Sequence, residues 1–474
     1  MSAEGLKRAQ DKMRAEGVNQ AAIDVFTHYY GELEAGATGL IPEETITPLH
    51  DPQRLADVDV SPEAASEALR RTAIIKLNGG LGTSMGMDRA KSLLPVREGS
   101  SFLDIIARQV AHARGEHDAP LPLVLMNSFR TRDDSLEALD SHAGIEVDGL
   151  PLDFLQNKEP KLLVDSLEPV EWPADPSLEW CPPGHGDIYT ALLGSGVLKA
   201  LLDAGYKYAS ASNSDNLGAV PHPQIAGWFA ASGAPYAAEV CVRTLADRKG
   251  GHLAIRTADN QLILRDTAQT PADQMHYFTD EHRHPFFHTN NLWFDLEALY
   301  AALSERGAVL GLPLIRNKKT VDPTDSSSPE VFQIESAMGA AIEVFEGATA
   351  IAVERERFLP VKTTNDLLVL RSDAYRLDAD GGLRLDAAKA PLVDLDPEFF
   401  KTVGDFDARF PTGAPSLREA ASLTVRGDWT FGSDVVVRGT VMLEGGGHIP
   451  DGAVLDSTEW AAGGNTASDN SRDV

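Results

Sequence analysis

Thr72-Ala73-Ile74-Ile75-Lys76-Leu77-Asn78-Gly79-Gly80-Leu81-Gly82-Thr83-Ser84-Met85-Gly86, followed by Lys91-Ser92, is the stretch that decides the fold. Its first five residues read as a short buried strand. The glycines that follow let the backbone approach a ligand and take positive φ. Backbone N–H groups turned inward in such a loop form a nest for phosphate oxygens. Lys91 adds a movable positive charge at the far end. A strand, a glycine-rich turn and a lysine together suit a nucleoside triphosphate. Other motifs fit less well. No Walker A pattern threads through the loop, and Gly-x-Gly-x-x-Gly fails at its last glycine. Gly82-Thr83-Ser84-Met85-Gly86 matches the nucleophile elbow of serine hydrolases. That elbow needs its serine on a turn directly after the strand, and Ser84 lies several residues beyond. A purely structural glycine turn is the remaining alternative.

Outward from this loop, strand-like and helical runs alternate. Residues 121–126, 206–210 and 236–242 read as strands; 2–34, 101–113, 187–203 and 335–346 read as helices. Residues 36–62, rich in Pro, Gly and Asp, read as an irregular connection. This order predicts a Rossmann-like α/β domain with a mixed, mostly parallel sheet and ligands at the C-terminal strand ends. The pattern then changes. Val425, Phe431, Val437, Leu443, Ile449 and Leu455 recur at a spacing of six, with Leu423, Trp429, Val435 and Val441 in phase two residues earlier. That period predicts a parallel β-helix whose coils must stack to bury their cores. An antiparallel meander would not hold a strict six-residue period so long. The expected organisation is a helical extension over 1–70, an α/β domain over 71–376, a linker and β-helix over 377–460, and a disordered tail over 461–474.

The chain has 474 residues, enough for two or three domains. Its net charge of −29 argues against nucleic acid as a partner. A site for an anionic substrate must therefore be locally basic against the global field. Cys181 and Cys241 form no Cys-x-x-Cys pair and are too few for a zinc site. No apolar leader or membrane-length run is present, so a cytoplasmic protein with no membrane partner is expected.

Other constellations carry candidate chemistry. Asp215, in Asn213-Ser214-Asp215-Asn216, follows a strand and suits Mg²⁺ shared with phosphates and water, or a plain Asx turn. Pro182-Pro183-Gly184-His185-Gly186-Asp187 permits close approach, with His185 as a donor, or makes a rigid turn with Asp187 as helix cap. Phe287-His288-Thr289-Asn290-Asn291-Leu292-Trp293 pairs amides with aromatics, as sugars prefer. His282, His284 and His288 sit in what reads as a solvated loop, not a metal site. In Phe358-Leu359-Pro360-Val361-Lys362, the lysine precedes a helix near Asn365 and could hold a phosphate there.

These blocks, in this order, resemble the eukaryotic-type UDP-glucose pyrophosphorylase family, from about Ala73 to Leu455. Leu125-Met126-Asn127-Ser128-Phe129, Lys249-Gly250-Gly251 and Glu335-Ser336-Ala337-Met338-Gly339 are further blocks of it. The resemblance implies a nucleotidyltransferase fold with a left-handed C-terminal β-helix. It implies the reversible reaction of UTP and glucose 1-phosphate giving UDP-glucose and pyrophosphate, with Mg²⁺. By that analogy Leu77, Gly79 and Gly80 hold the nucleotide, and Met126, Gln156 and Gly184 recognise uracil. His185 and Asn213 reach the α-phosphate and ribose side. Gly251, Asn290, Asn291 and Glu335 line the glucose pocket. Lys91 neutralises pyrophosphate, Lys362 binds the sugar phosphate, and Asp215 holds the metal. Ala90 stands where the family usually has proline, and Ser214 where it has an apolar residue. Assembly into homo-oligomers through the β-helix occurs in some members and is left open here. A pyrophosphorylase of different or broader sugar specificity is the near alternative. A non-catalytic nucleotide-sugar-binding scaffold is the distant one.

Overall fold

The computed structural model describes residues 2–456, apart from 245, 246 and 248, and the backbone of 459–461. An eight-stranded sheet forms its centre. In chain order its strands are β1 (Gln53–Arg54), β2 (Thr72–Asn78), β3 (Leu123–Asn127), β4 (Asp153–Leu155), β5 (Tyr208–Asn213), β6 (Tyr236–Val242), β7 (Phe286–Asp295) and β8 (Thr349–Ala352). Their spatial order is β1-β8-β6-β7-β5-β2-β3-β4. All neighbours are parallel except the two pairs made by β7. The expected mixed, mostly parallel α/β sheet is therefore present.

Both faces of the sheet are covered, which explains why its strands read as nearly continuous apolar runs. Successive residues of β2 enter different cores. Ile74 packs with helices Phe102–His117 and Pro223–Ser232. Ala73 and Ile75 pack on the other face with Ile188–Gly194, Val197–Asp203 and Leu296–Glu305. With β2 central and parallel to both neighbours, its Gly79–Gly86 exit lies among the ends of β3 and β5.

Several elements differ from expectation. The helical run over 2–34 is two helices, Ser2–Ala15 and Gln20–Glu34, because Asn19 accepts from Ala22 N–H and starts a new helix. The run over 187–203 also breaks, at Gly196 with its φ of +80°. Residues 335–346 are not an α-helix. Glu335 ends the strand Glu330–Glu335, and Met338–Glu343 forms a 3₁₀ turn. Tertiary packing decides this, since Gly339 sits too close to His288 and Leu264 for a side chain. The 36–62 connection contributes β1, the sheet edge.

Beyond residue 390 the strands β9 (Leu392–Leu395), β10 (Ser416–Val425), β11 (Asp428–Phe431), β12 (Val436–Glu444), β13 (Gly446–Ile449) and β14 (Val454–Asp456) all pair in parallel. Leu423 faces Val441, Phe431 faces Ile449, and Val437 faces Leu455. Every residue of the six-spaced set is fully buried. A Cβ on Gly427 would fall 1.7 Å from the Gly445 carbonyl oxygen, so the corner between stacked turns admits only glycine. Ala461 belongs to a last short strand, and the rest of the expected disordered tail lies outside the described residues.

Candidate active site

The glycine loop starts where Asn78 leaves β2. The Asn78 amide donates to Asn127 Oδ1 and Ser135 Oγ, both at 2.8 Å, which fixes the loop's origin. Gly82 and Gly86 take φ of 67° and 74°, and Lys91 N–H returns to the Gly80 carbonyl at 3.0 Å. A Cβ on Gly79 would meet Gln156 Oε1 at 2.6 Å, whereas Gly80 has open space around it. Gln156 thus stands against the loop. Met126 does not reach the cleft. Its side chain is 1% exposed in the core, so it offers no side-chain contact to a base. Leu77 is half-buried, and its carbonyl accepts from Ser214 N–H at 3.1 Å. Ser84 lies in an exposed 3₁₀ turn, not at the strand's exit, which removes the geometry of a nucleophile elbow.

Three blocks distant in sequence meet beside the loop. Lys91 Nζ donates to Asp215 Oδ2 at 2.7 Å and also to the Val361 carbonyl. Val361 N–H returns to the Asp215 carbonyl at 3.2 Å. Asp215 Oδ1 is buried with no partner. An orphaned carboxylate oxygen at a phosphate loop fits a Mg²⁺ ion that takes its remaining ligands from phosphates and water. No group of three His, Cys, Asp or Glu side chains suited to a metal occurs among the described residues. His284 instead pairs with Glu43 and stacks on His252.

Lys362 follows at the cleft rim. Its Nζ donates to the Lys249 carbonyl at 2.8 Å and stands over the rings of Phe287 and Phe358. These walls desolvate the ammonium and lower its pKa, although the residue keeps an exposed surface. The helix behind it, Thr364–Arg371, begins with a capping box. Asp366 already accepts from Lys362 and Thr363 N–H.

The 182–187 loop is clamped by the strand end at 335–338. Gly186 N–H donates to the Ser336 carbonyl at 2.8 Å, and Ser336 N–H to the Pro183 carbonyl at 3.0 Å. His185 Nδ1 accepts from Met338 N–H at 2.9 Å. The neutral ring therefore carries its proton on Nε2. The surrounding loop lowers its pKa to about 4, although the residue keeps an exposed surface, so it is a neutral donor at pH 7. Asp187 does not cap the following helix. It accepts from the Asn157 backbone at 2.6 Å and side chain at 2.7 Å, and burial pushes its pKa up to about 7. Burial also raises the pKa of Glu335, partly offset by Lys319.

β7 is irregular where it passes the site. Its register against β6 shifts between Ala238 and Val240, where Leu292 and His288 are the partners. This bulge puts Asn290 at a φ of 61° and lets its Nδ2 donate to Asn213 Oδ1 at 3.1 Å. Asn291 points the other way. It is 1% exposed, with its amide bound to Glu239, Arg357 and Asn216. Its assignment to a sugar pocket is corrected, since its buried amide is turned to protein partners. Gly251 packs against Leu264 of its own hairpin. Lys76, Glu239 and Arg357 were not singled out from the sequence. Charged residues inside the apolar runs 72–76 and 236–242 were the available signal.

The model of the UTP–glucose-1-phosphate uridylyltransferase family matches residues 23–438. The chain belongs to that family. Family relatives include the UTP–glucose-1-phosphate uridylyltransferase of Saccharomyces cerevisiae, 39% identical over 84% of this chain and 80% of that protein. That of Solanum tuberosum is 38% identical over 87% and 85%. Among solved structures, the UDP-glucose pyrophosphorylase of Leishmania major superposes with a TM-score of 0.92 at 41% identity, covering 97% of this chain and 99% of that one. A mutant of the Leishmania major protein crystallised with UDP-glucose superposes at 0.91 and 41% identity, over 96% and 99%. Lys91 is thus paired with Asp215 and bonded to the Val361 carbonyl, which places Lys362 next to the same cleft.

Proposed function

We propose that the chain joins UTP and glucose 1-phosphate into UDP-glucose, releasing pyrophosphate, in a reversible reaction. The observation that carries this reading is the meeting of the glycine loop, Lys91, Asp215 and the Val361–Lys362 turn at the ends of β2 and β5, in a member of this family. The attacking group is a phosphate oxygen of the sugar phosphate, already ionised at pH 7, so no general base is required. What the transfer needs is alignment and neutralised charge. Lys362 is placed to hold the sugar phosphate. Backbone N–H groups at Gly79 and Gly80, with Lys91, would cradle the phosphates of UTP. His185, as a neutral Nε2–H donor, would serve the α-phosphate side. Asp215 would hold Mg²⁺, which supplies charge neutralisation on the phosphates when bound. Lys91 would then exchange its Asp215 contact for phosphate oxygens.

Gln156 and Gly184 are assigned to the uracil, with Asn290, Glu335 and Gly251 around the sugar. We also infer that strands β9–β14 form a left-handed β-helix, open to assembly between copies of the chain, and that the protein acts in the cytoplasm. No described helix is long and apolar enough to cross a membrane. The domain divisions at 70, 376 and 460 belong to the same proposal.

The test is pyrophosphate release with Mg²⁺, comparing UTP with ATP, CTP, GTP and dTTP, and glucose 1-phosphate with galactose and N-acetylglucosamine 1-phosphates. Release confined to UTP and glucose 1-phosphate supports the assignment. Release with several sugar phosphates replaces it with broad sugar specificity, and release with none replaces it with a binding scaffold.

A further inference from the structure

Beneath the cleft lies a closed buried network that no role in phosphate or sugar binding accounts for. Its hub is Glu239, in the middle of β6 and fully buried. Arg357 Nε and Nη2 donate to its two oxygens at 2.7 and 2.8 Å. Trp293 Nε1 and Asn291 Nδ2 donate to the same oxygens at 2.9 and 3.0 Å. Burial alone would raise the Glu239 pKa, but Arg357 and these donors hold it below the ordinary carboxyl value. All its hydrogen-bonding capacity is thereby used inside the protein.

The network continues toward the site from three sides. Asn291 Oδ1 accepts from Asn216 Nδ2 at 3.0 Å, and the Arg357 carbonyl accepts from both Asn216 and Asn291. Asn216 Oδ1 accepts from Leu359 N–H at 2.8 Å and Gly218 N–H at 3.2 Å. Three of its members thus lie close in sequence to residues assigned to the cleft. Asn216 follows Asp215, Leu359 lies three residues before Lys362, and Asn291 follows Asn290. The bulge opposite Glu239 is also what turns Asn290 toward Asn213.

We infer that Glu239 and Arg357 are positioning residues that lock the Asp215, Lys362 and Asn290 segments into one register on the sugar-phosphate side. They touch no substrate. The glycine loop, Gln156 and His185 have no member in this network, so the uracil end of the nucleotide site should be independent of it, whereas Asp215 and the Lys91 bonded to it are tied to it. This division rests on the proposed reaction. A buried ion pair earns little net stability against an apolar replacement, so a role in geometry explains its presence better than a role in stability.

The experiment is Glu239→Gln in the full-length protein, beside wild type. Gln keeps the size but turns one acceptor oxygen into a donor facing donors. A displacement of about 1 Å at reacting groups costs on the order of 100-fold in rate. Turnover should therefore fall about 100-fold and KM for the sugar phosphate should rise about tenfold. Uridine affinity by calorimetry, which reads the uracil end without the phosphates, should stay within about threefold of wild type. Turnover and sugar-phosphate KM within about twofold of wild type in the folded variant would overturn the inference. So would uridine affinity lost in proportion to turnover, which marks general disruption. If Glu239→Gln does not fold, Asn291→Ser decides, because it cuts the link while leaving the Glu239–Arg357 pair. It should show the same split at about tenfold, and its absence refutes the coupling. Wild-type turnover on UTP and glucose 1-phosphate tests the reaction itself, separately from the ratio of variant to wild type.

Discussion

Gly184→Ala tests close backbone packing at the site. Gly184 has φ 79° and ψ 178°, a region open essentially to glycine alone. Holding alanine there costs roughly 1–3 kcal/mol. Its Cβ would lie 2.6 Å from the Ser336 carbonyl oxygen, 2.9 Å from the Ser336 nitrogen and 3.0 Å from Glu335 Cβ. Two of these are backbone atoms of a strand end, with no rotamer to relieve them. Overpacking of this kind costs about 1–3 kcal/mol more. The native loop should therefore lose roughly 2–6 kcal/mol, a large share of the about 5–15 kcal/mol that holds a domain folded. The alternative is for the loop to lift. It would then break the Gly186–Ser336 bond at 2.8 Å and pull His185 from Met338. Urea denaturation and steady-state kinetics on one preparation separate the two responses. Either stability falls by that amount, or stability is spared and kcat/KM for UTP drops. A variant within about 0.5 kcal/mol of wild type and with unchanged kinetics would refute the geometry argued here.

Three further outcomes follow from the site. Lys362→Ala should depress kcat by about 100- to 1000-fold, the usual scale for one charge-stabilising group, and near-normal turnover would remove it from the reaction. His185, with a pKa near 4, should add no inflection to the pH–rate profile between pH 6 and 9, and a wild-type limb near pH 6.5 that vanishes in His185→Gln would contradict this. Asp187 has a folded pKa of about 7, above its ordinary 3.8, so the folded chain keeps a proton that the unfolded chain has lost. That contribution is full below about pH 4 and fades as the pH rises toward about 7. Asp187→Asn should thus gain on wild type in urea midpoints from pH 5 to 8, and a difference independent of pH would show that the carboxyl is already ionised in the fold.

Local chemistry made much of this protein legible from sequence. The apolar run 72–76, the glycines after it and the six-residue period from Leu423 to Leu455 each encode backbone behaviour in neighbouring residues. The central strand, its loop and the repeating buried strands follow from that without knowledge of distant contacts. The order of blocks pointed to the family by resemblance alone. Contacts between segments could not be read this way. Lys91 reaching Asp215 and Val361 joins positions separated by more than a hundred residues. Whether Asn290 or Asn291 faces the cleft depends on a bulge set by pairing with β6, and neighbouring asparagines look alike in sequence. Met126 carries the motif, yet its side chain points into the core because strand alternation and the layer beneath the sheet direct it there. Sequence determined which groups are available and what backbone they sit on. Tertiary structure decided which of them share a cleft and which, like Glu239 and Arg357, work from beneath it, because burial and pairing across the sheet are properties of the whole fold.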